Sequence, residues 1–243
     1  MLAAPREERF EIFMLRRSAR STFLPDVYVF PGGAVDRDDE ALASSRLLRA
    51  DDREDDERRA GGGPAFEVAA LREAFEEAGV LLARRADGEP PAPLSAERLA
   101  KARRALIAGT VGFAQILEEE KLVLDARRLW YFSRWITPPT ENRRFDTRFY
   151  LGIVPEDQLA SADDFETLDG MWIAPGEALR RHGAGEMPMI FPTLMHLRRL
   201  DAFRSLEALA EFADAKTIAP VNPVVTEGTA RVFSLPAELE ERW

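Results

Sequence analysis

Apolar residues recur at helical spacing between positions 66 and 78. The set comprises Phe66, Ala70, Leu71, Ala74, Phe75 and Ala78, and Gly79 follows directly after it. Side chains three and four positions apart share one face of a helix, and glycine is common just past a helix C-terminus. The pattern therefore predicts an amphipathic helix that ends before Gly79.

Several other segments have the composition of strands. Residues 10–15 alternate bulky apolar and other side chains, and residues 27–30 form a β-prone run that stops at Pro31-Gly32-Gly33. Aromatic and β-branched runs at 129–136 and 145–154 predict two further strands joined by a loop, and 171–173 predicts a short one.

Helices are predicted in the remaining apolar segments. The pattern of residues 95–120 predicts two helices divided near Gly109 or Gly112. Further helices are expected at 175–182 and 192–213. The mixed order of strands and helices predicts an α/β or α+β fold, with helices packed against a mixed sheet. At 243 residues the chain is predicted to be a single domain, spanning 1–243.

Composition narrows the possible partners. No apolar run approaches the roughly 18 residues of a membrane span, and a net charge of -10 argues against a nucleic-acid backbone as partner. The chain has no cysteine, which excludes disulfides, thiolate metal sites and a cysteine nucleophile. We therefore expect a cytoplasmic protein, monomer or homodimer, whose partner is a small molecule.

Three glutamates of the predicted helix point to metal chemistry. Glu73, Glu76 and Glu77 are three and four positions apart, so their carboxylates share one patch. Like charges at this spacing repel, but a hard cation such as Mg²⁺ or Mn²⁺ binds carboxylate oxygens and links them to phosphates. Arg72 can orient one of these carboxylates. The alternative is an ordinary solvated helix face.

The turn at Pro31-Gly32-Gly33 favours the metal interpretation. Glycine has no Cβ atom, so its backbone can approach a metal or a phosphate closely. We therefore include the Gly32 carbonyl among the candidate metal ligands.

These residues resemble the motif of the Nudix hydrolases. That motif is a glycine, five residues, a glutamate, seven residues, and then Arg-Glu-apolar-any-Glu-Glu-any-Gly-apolar. Its second half is complete here, from Arg72 to Val80. In its first half, counting from Gly33, Asp39 stands where glutamate is expected, and far more than seven residues separate it from Arg72.

The resemblance therefore implies an insertion at about 38–64, within the motif, and a second, mainly helical insertion at 83–128. The first is acidic and ends in a glycine cluster, 61–63. We expect it to be a surface loop with a short helix near 40–48 that contributes little to the core.

The split motif, Trp135-Ile136-Thr137-Pro138 and the following Arg143-Arg144 resemble the branch that contains the peroxisomal coenzyme A diphosphatases. This resemblance implies hydrolysis of coenzyme A or acyl-coenzyme A to 3',5'-ADP and (acyl) phosphopantetheine. Arg17 and Ser18 match part of a sequence motif that resembles one found in Nudix hydrolases directed at coenzyme A. Arg17, Arg143 and Arg144 are the candidate phosphate-binding residues.

The resemblance fixes the reaction better than the substrate. ADP-ribose, dinucleotides and nucleoside triphosphates are alternative substrates, and a catalytically idle nucleotide-sensing module is an alternative of another class. Glu73 is the candidate general base, and Glu141, Asp146 and Glu166 are open alternatives. His182 and His196 are expected to be surface or internally satisfied residues.

Overall fold

The computed structural model describes residues 1–6, 9–21, 24–49, 62–86, 96–154, 167–226 and 232–239. The strands are β1 (Leu2–Arg6), β2 (Arg9–Arg17), β3 (Tyr28–Val29), β4 (Leu48–Arg49), β5 (Ala83–Arg85), β6 (Leu122–Asp125), β7 (Leu129–Ile136), β8 (Asp146–Ile153), β9 (Thr167–Ile173), β10 (Pro220–Val221), β11 (Val224–Thr226) and β12 (Val232–Ser234). The helices are α1 (Arg37–Ala43), α2 (Pro64–Ala78), α3 (Ala96–Ile107), α4 (Phe113–Glu120), α5 (Pro175–Gly183), α6 (Phe191–Asp201) and α7 (Leu206–Ala215), with short 3₁₀ turns at Ala126–Arg128 and Ala237–Leu239.

A mixed sheet runs through the centre of the fold. Its strand order is β10-β7-β8-β1-β2-β3, and β9 also pairs with β2. The β1–β8 and β10–β7 pairs are parallel, whereas β1–β2, β2–β3, β2–β9 and β7–β8 are antiparallel. Strands β4, β6 and β5 form a second, smaller sheet, and β11 pairs with β12. The predicted class, helices against a mixed sheet, is confirmed.

Both faces of the central sheet are covered. Phe13 and Leu15 of β2 pack with apolar residues of α2 and α4, whereas the intervening Ile12 and Met14 pack with α6 and α7. This is the two-residue alternation of a strand buried on both faces. Helix α2 is thereby fixed flat against one face of the sheet.

The helix predicted from residue 66 is confirmed, and it begins two residues earlier. Pro64 occupies the first turn, where its missing N–H breaks no helical hydrogen bond, and Gly79 closes the helix with φ +70°. On the buried side, Phe75 stacks on Phe113 of α4 with ring centroids 6.0 Å apart. The predicted division of 95–120 into two helices is also confirmed, because α3 ends at Ile107 and α4 begins at Phe113.

The prediction that the acidic segment contributes little to the core is wrong. Its helix, α1, lies at Arg37–Ala43 rather than 40–48, and Leu42 on it is buried in the same cluster as α2. Strand β4 pairs in parallel with β6. The described part of the segment therefore packs against α2 through Leu42 and pairs with β6 through β4. Residues 50–61 lie outside the described part of the chain, and the single-domain assignment stays a prediction.

His196 is buried among aromatic rings and fully paired. Its Nδ1 lies 2.7 Å from the Pro192 carbonyl oxygen, which can only accept, so Nδ1 carries the hydrogen and Nε2 accepts from the Ser133 hydroxyl at 2.6 Å. Burial lowers the pKa of His196 to about 3. His182 is also paired, with Nδ1 2.8 Å from the Met187 carbonyl oxygen. The expectation for both histidines is confirmed.

No helix in the described ranges combines the length and the apolar character that a membrane crossing requires.

We expect Phe75→Ala to lower the free energy of unfolding by about 3–5 kcal/mol, because it removes a fully buried ring between α2 and α4. The matched control is Phe145→Ala, since that ring is 44% exposed, and its cost should be about 0.5 kcal/mol or less. Urea unfolding of both variants measures the difference. Equal costs would contradict the packing of α4 on α2.

Candidate active site

Arg72 lies at the centre of the candidate site, in the middle of α2. Its Nε and Nη2 donate to the two carboxylate oxygens of Asp39, both at 2.9 Å, and its Nη1 donates to Glu73 Oε1 at 2.7 Å. Nη2 also reaches the Ala34 carbonyl at 3.0 Å. Burial opposes the charge, but the Asp39 hydrogen bond and Glu73 raise the pKa of Arg72 above its ordinary value. The guanidinium therefore ties α1, the preceding loop and α2 together.

Asp39 is held as firmly as the arginine that it binds. It is the third residue of α1, and its amide donates to Asp36 Oδ1 at 2.8 Å while its own Oδ2 accepts from the Asp36 amide at 3.0 Å. This reciprocal pair is a capping box, which fixes the helix start. Asp39 is only 1% exposed. Asp39, which stands where the motif has a glutamate, is thus the residue that anchors Arg72.

Gly33 makes room for the carboxylate of Glu73. A Cβ atom at this position would overlap the Glu73 carboxylate group. Glu73 is itself buried beside Arg72. Only glycine at position 33 is therefore compatible with this position of the carboxylate.

Gly32 and Glu77 are also brought together, through a contact that the sequence did not predict. The amide of Gly32 donates to Glu77 Oε2 at 2.7 Å. The role predicted for Gly32, a carbonyl ligand to a metal, stays a prediction. The turn before α1 thus contacts two of the glutamates of α2. Gly33 packs against Glu73, and Gly32 forms a hydrogen bond with Glu77.

The three glutamates share one side of α2 but do not form a preformed metal cage. Glu73 and Glu76 both face Arg72 Nη1, the latter at 3.3 Å, and Glu77 faces the Gly32 amide. Within the described ranges, no group of three or more acidic, histidine or cysteine side chains is arranged to hold a metal ion. The donors are nevertheless all oxygen, which suits a hard divalent cation. Glu73, Glu76 and Glu77 are the side chains that would hold such an ion.

The alternative base candidates differ in their surroundings. Arg134 binds Asp146 through two hydrogen bonds, at 2.9 and 2.7 Å, and Arg148 lies 3.1 Å from the same carboxylate. The hydrogen bond from Arg134 holds the pKa of Asp146 below its ordinary value. Glu141 lies in the turn after β7, where its amide donates to Pro138. Glu166 lies outside the described residues.

The predicted phosphate-binding arginines lie in two places. Arg17 ends β2 and donates to the Ser21 hydroxyl at 3.1 Å. Arg143 and Arg144 are exposed in the loop between β7 and β8, where Arg144 Nε donates to the Thr137 carbonyl at 3.2 Å. The predicted residues therefore belong to different elements, the end of β2 and the loop between β7 and β8.

Sequence reasoning missed another arginine close to α2. Arg148 of β8 has its guanidinium carbon 4.1 Å from the ring centroid of Phe66, in the first turns of α2. The available signal was a charged residue among the aromatic residues of a predicted strand, a pattern that places a cation on a packed face.

The fold is that of a Nudix domain. The structure is similar to the crystal structure of a NUDIX hydrolase from Alicyclobacillus acidocaldarius, with a TM-score of 0.69 and 30% sequence identity over 87% of this chain and 93% of that one. The family model described as the NUDT19 Nudix domain matches residues 43–200. The chain belongs to this family, and the Nudix resemblance is confirmed.

The curated relatives of the chain agree with this family assignment. The chain is 33% identical to the acyl-coenzyme A diphosphatase NUDT19 of Gallus gallus, over 86% of this chain and 66% of that protein. It is 31% identical to the human protein of the same name, over 86% and 65%. It is 27% identical to putative nudix hydrolase 7 of Caenorhabditis elegans, over 89% and 64%. The chain spans about two thirds of the length of these relatives.

We expect Asp39→Asn to destabilise the fold by about 3 kcal/mol, because it leaves a buried guanidinium without its doubly hydrogen-bonded carboxylate. Asp38→Asn is the matched control, since Asp38 lies on the exposed side of the same turn. Chemical denaturation of the two variants provides the measurement. A loss for Asp39→Asn no larger than that of the control would show that Asp39 does not anchor Arg72.

Proposed function

We propose that this chain is a divalent-metal-dependent Nudix hydrolase that cleaves the diphosphate of coenzyme A or acyl-coenzyme A. Water adds across the P–O–P linkage, giving 3',5'-ADP and (acyl) phosphopantetheine. The observation that carries the proposal is the glutamate patch of α2, held by Arg72, Gly32 and Gly33. The names of the curated relatives support the substrate. Mg²⁺ or Mn²⁺ is the proposed cofactor.

The chemistry requires that negative charge be neutralised. A bound divalent cation would offset the charge of the diphosphate and lower the pKa of a water molecule. The protein supplies the oxygen donors of Glu73, Glu76 and Glu77 on one rigid helix. Arg72 pairs with Glu73 and Glu76, and a divalent cation would offset the remaining negative charge of the three carboxylates, which favours an enzyme over a binding module without metal.

Arg72 and Gly33 determine how Glu73 can act. Arg72 donates to Oε1, which fixes the plane of the carboxylate, and Gly33 lets the backbone pack against it. Orientation by a neighbouring charged donor is what a general base needs for proton transfer at a defined place. We therefore favour Glu73 as the base and as a metal ligand, with Glu141 as the alternative outside the helix.

The substrate part of the proposal depends on cations. Coenzyme A carries a 3'-phosphate in addition to its diphosphate, and arginine binds such groups through charge-assisted hydrogen bonds. Arg143 and Arg144 are exposed and form the proposed contact, with Arg17 as a further candidate. The partner is thus a small nucleotide-diphosphate molecule rather than nucleic acid or membrane. We also propose a cytoplasmic location, with which the absence of cysteine is compatible, and a monomer or homodimer.

We expect Glu76→Gln and Glu77→Gln to lower turnover by about two orders of magnitude or more at saturating metal, because the amide keeps the shape but loses the anionic ligand. Turnover is measured with Mg²⁺ and with Mn²⁺ on a panel of compounds that contain a phosphoanhydride bond. The panel comprises coenzyme A, ADP-ribose, a dinucleoside diphosphate and a nucleoside triphosphate. Glu118→Gln, on an exposed position of α4, is the control. Wild-type turnover in Glu76→Gln would contradict the proposed metal cluster. If the wild type prefers another compound of the panel, that compound replaces coenzyme A as the proposed substrate.

We expect Arg143→Ala or Arg144→Ala to lower kcat/KM for coenzyme A by about ten- to a hundredfold, the loss for a hydrogen bond to a charged group. The effect on 3'-dephospho-coenzyme A should be much smaller, because it lacks the bound phosphate. Arg198→Ala, an exposed arginine on α6, is the control. Equal use of both compounds by all four proteins would rule out recognition of the 3'-phosphate by this loop.

A further inference from the structure

The C-terminal end of α2 carries backbone carbonyls that lie beyond the hydrogen bonds of its own cap. The last four carbonyls of a helix have no partner within the helix. At this end, the Gly79 amide donates to Phe75 O at 3.0 Å and the Val80 amide to Ala74 O at 3.2 Å. The carbonyls of the next two residues, Glu76 and Glu77, need partners from elsewhere in the fold.

Arg103 of α3 binds both of those carbonyls. Its Nε donates to Glu76 O at 2.7 Å and its Nη2 donates to Glu77 O at 3.0 Å. A guanidinium suits this place twice over, because its two parallel donors match two adjacent carbonyls and its charge offsets the negative end of the helix dipole. The contact joins the segment predicted as an insertion to the two glutamates at the end of the patch.

We propose that Arg103 is a positioning residue that fixes the backbone of Glu76 and Glu77, so that their carboxylates meet a divalent cation in a defined geometry. The inference rests on the proposed function, in which these glutamates are metal ligands. Metal–ligand distances tolerate deviations of only about 0.2 Å, so a small backbone shift at the last turn of α2 changes affinity.

The way in which Arg103 acts differs from that of Arg72. Arg72 donates to the carboxylates of Glu73 and Glu76 themselves. Arg103 donates to the main chain, so it holds Glu76 and Glu77 in place without occupying carboxylate oxygens through those two bonds. One arginine therefore pairs with the carboxylates of the patch, and the other orders the helix that carries them.

The docking of α3 does not depend on Arg103. Leu99, Ala102 and Leu106 of α3 pack against the core cluster that contains α2. These apolar contacts remain when the guanidinium is removed, so Arg103→Ala is expected to fold. This separates a positioning role from a purely structural one.

The experiment compares wild type with Arg103→Ala, Arg103→Lys and the control Arg104→Ala, whose side chain is exposed on the same helix. Mn²⁺ is titrated into each metal-free protein without substrate, with free Mn²⁺ followed by electron paramagnetic resonance. Arg103→Ala should weaken Mn²⁺ binding by about 10- to 100-fold, the usual effect of losing a group that orients metal ligands. Arg103→Lys, with one donor head for two carbonyls, should fall between, and Arg104→Ala should match wild type.

Turnover of coenzyme A and thermal unfolding complete the test. In Arg103→Ala, kcat at limiting Mn²⁺ should fall while KM for coenzyme A changes little. A lower melting temperature with unchanged Mn²⁺ affinity and unchanged kcat would overturn the inference, since Arg103 would then be structural only. If wild type binds Mn²⁺ but cleaves no diphosphate, the proposed function fails while the titration still decides the role of Arg103. A wild type that binds no Mn²⁺ overturns both.

Discussion

A buried guanidinium needs full pairing, and this requirement on Arg72 organises the region around the glutamates. An unpaired charge at that depth would cost several kcal/mol, so the structure must supply carboxylates and carbonyls from other segments. Asp39 comes from α1 and the Ala34 carbonyl from the loop before it, while Glu73 comes from α2 itself. The same pairing that satisfies Arg72 therefore joins α1 and the loop before it to α2.

The elements whose signals are local were predictable from the sequence. Helix α2 followed from the spacing of its apolar residues and from Gly79, and the motif from Arg72 to Val80 identified its chemistry. The partner of Arg72 was not predictable, because an interrupted motif gives no information on whether Asp39 folds back across the intervening segment. The contact of Gly33 with Glu73 was missed for a related reason: it requires the three-dimensional distance between a turn and a helix, which no periodicity encodes.

Strand β7 shows a second limit. Its register with β8 shifts between Tyr131 and Ser133. Tyr131 packs in the cluster that contains α2, whereas Phe132 packs with α6 and α7 and Ser133 meets His196, so two consecutive residues serve the same side. A bulge of this kind reverses the facing of every residue after it. Alternation in the sequence therefore predicts strand β7 but not which of its side chains face the glutamate helix.

The pinning of α1 also bears on protein engineering. Asp39 is tied to Arg72, β4 is paired with β6 up to Arg49, and the description of the chain resumes at Gly62 just before Pro64 opens α2. Insertion of an epitope or a fluorescent reporter within residues 36–49 would therefore disturb the partner of Arg72 or the β4–β6 pairing. A graft has to lie outside this range to leave the surroundings of the glutamates as they are.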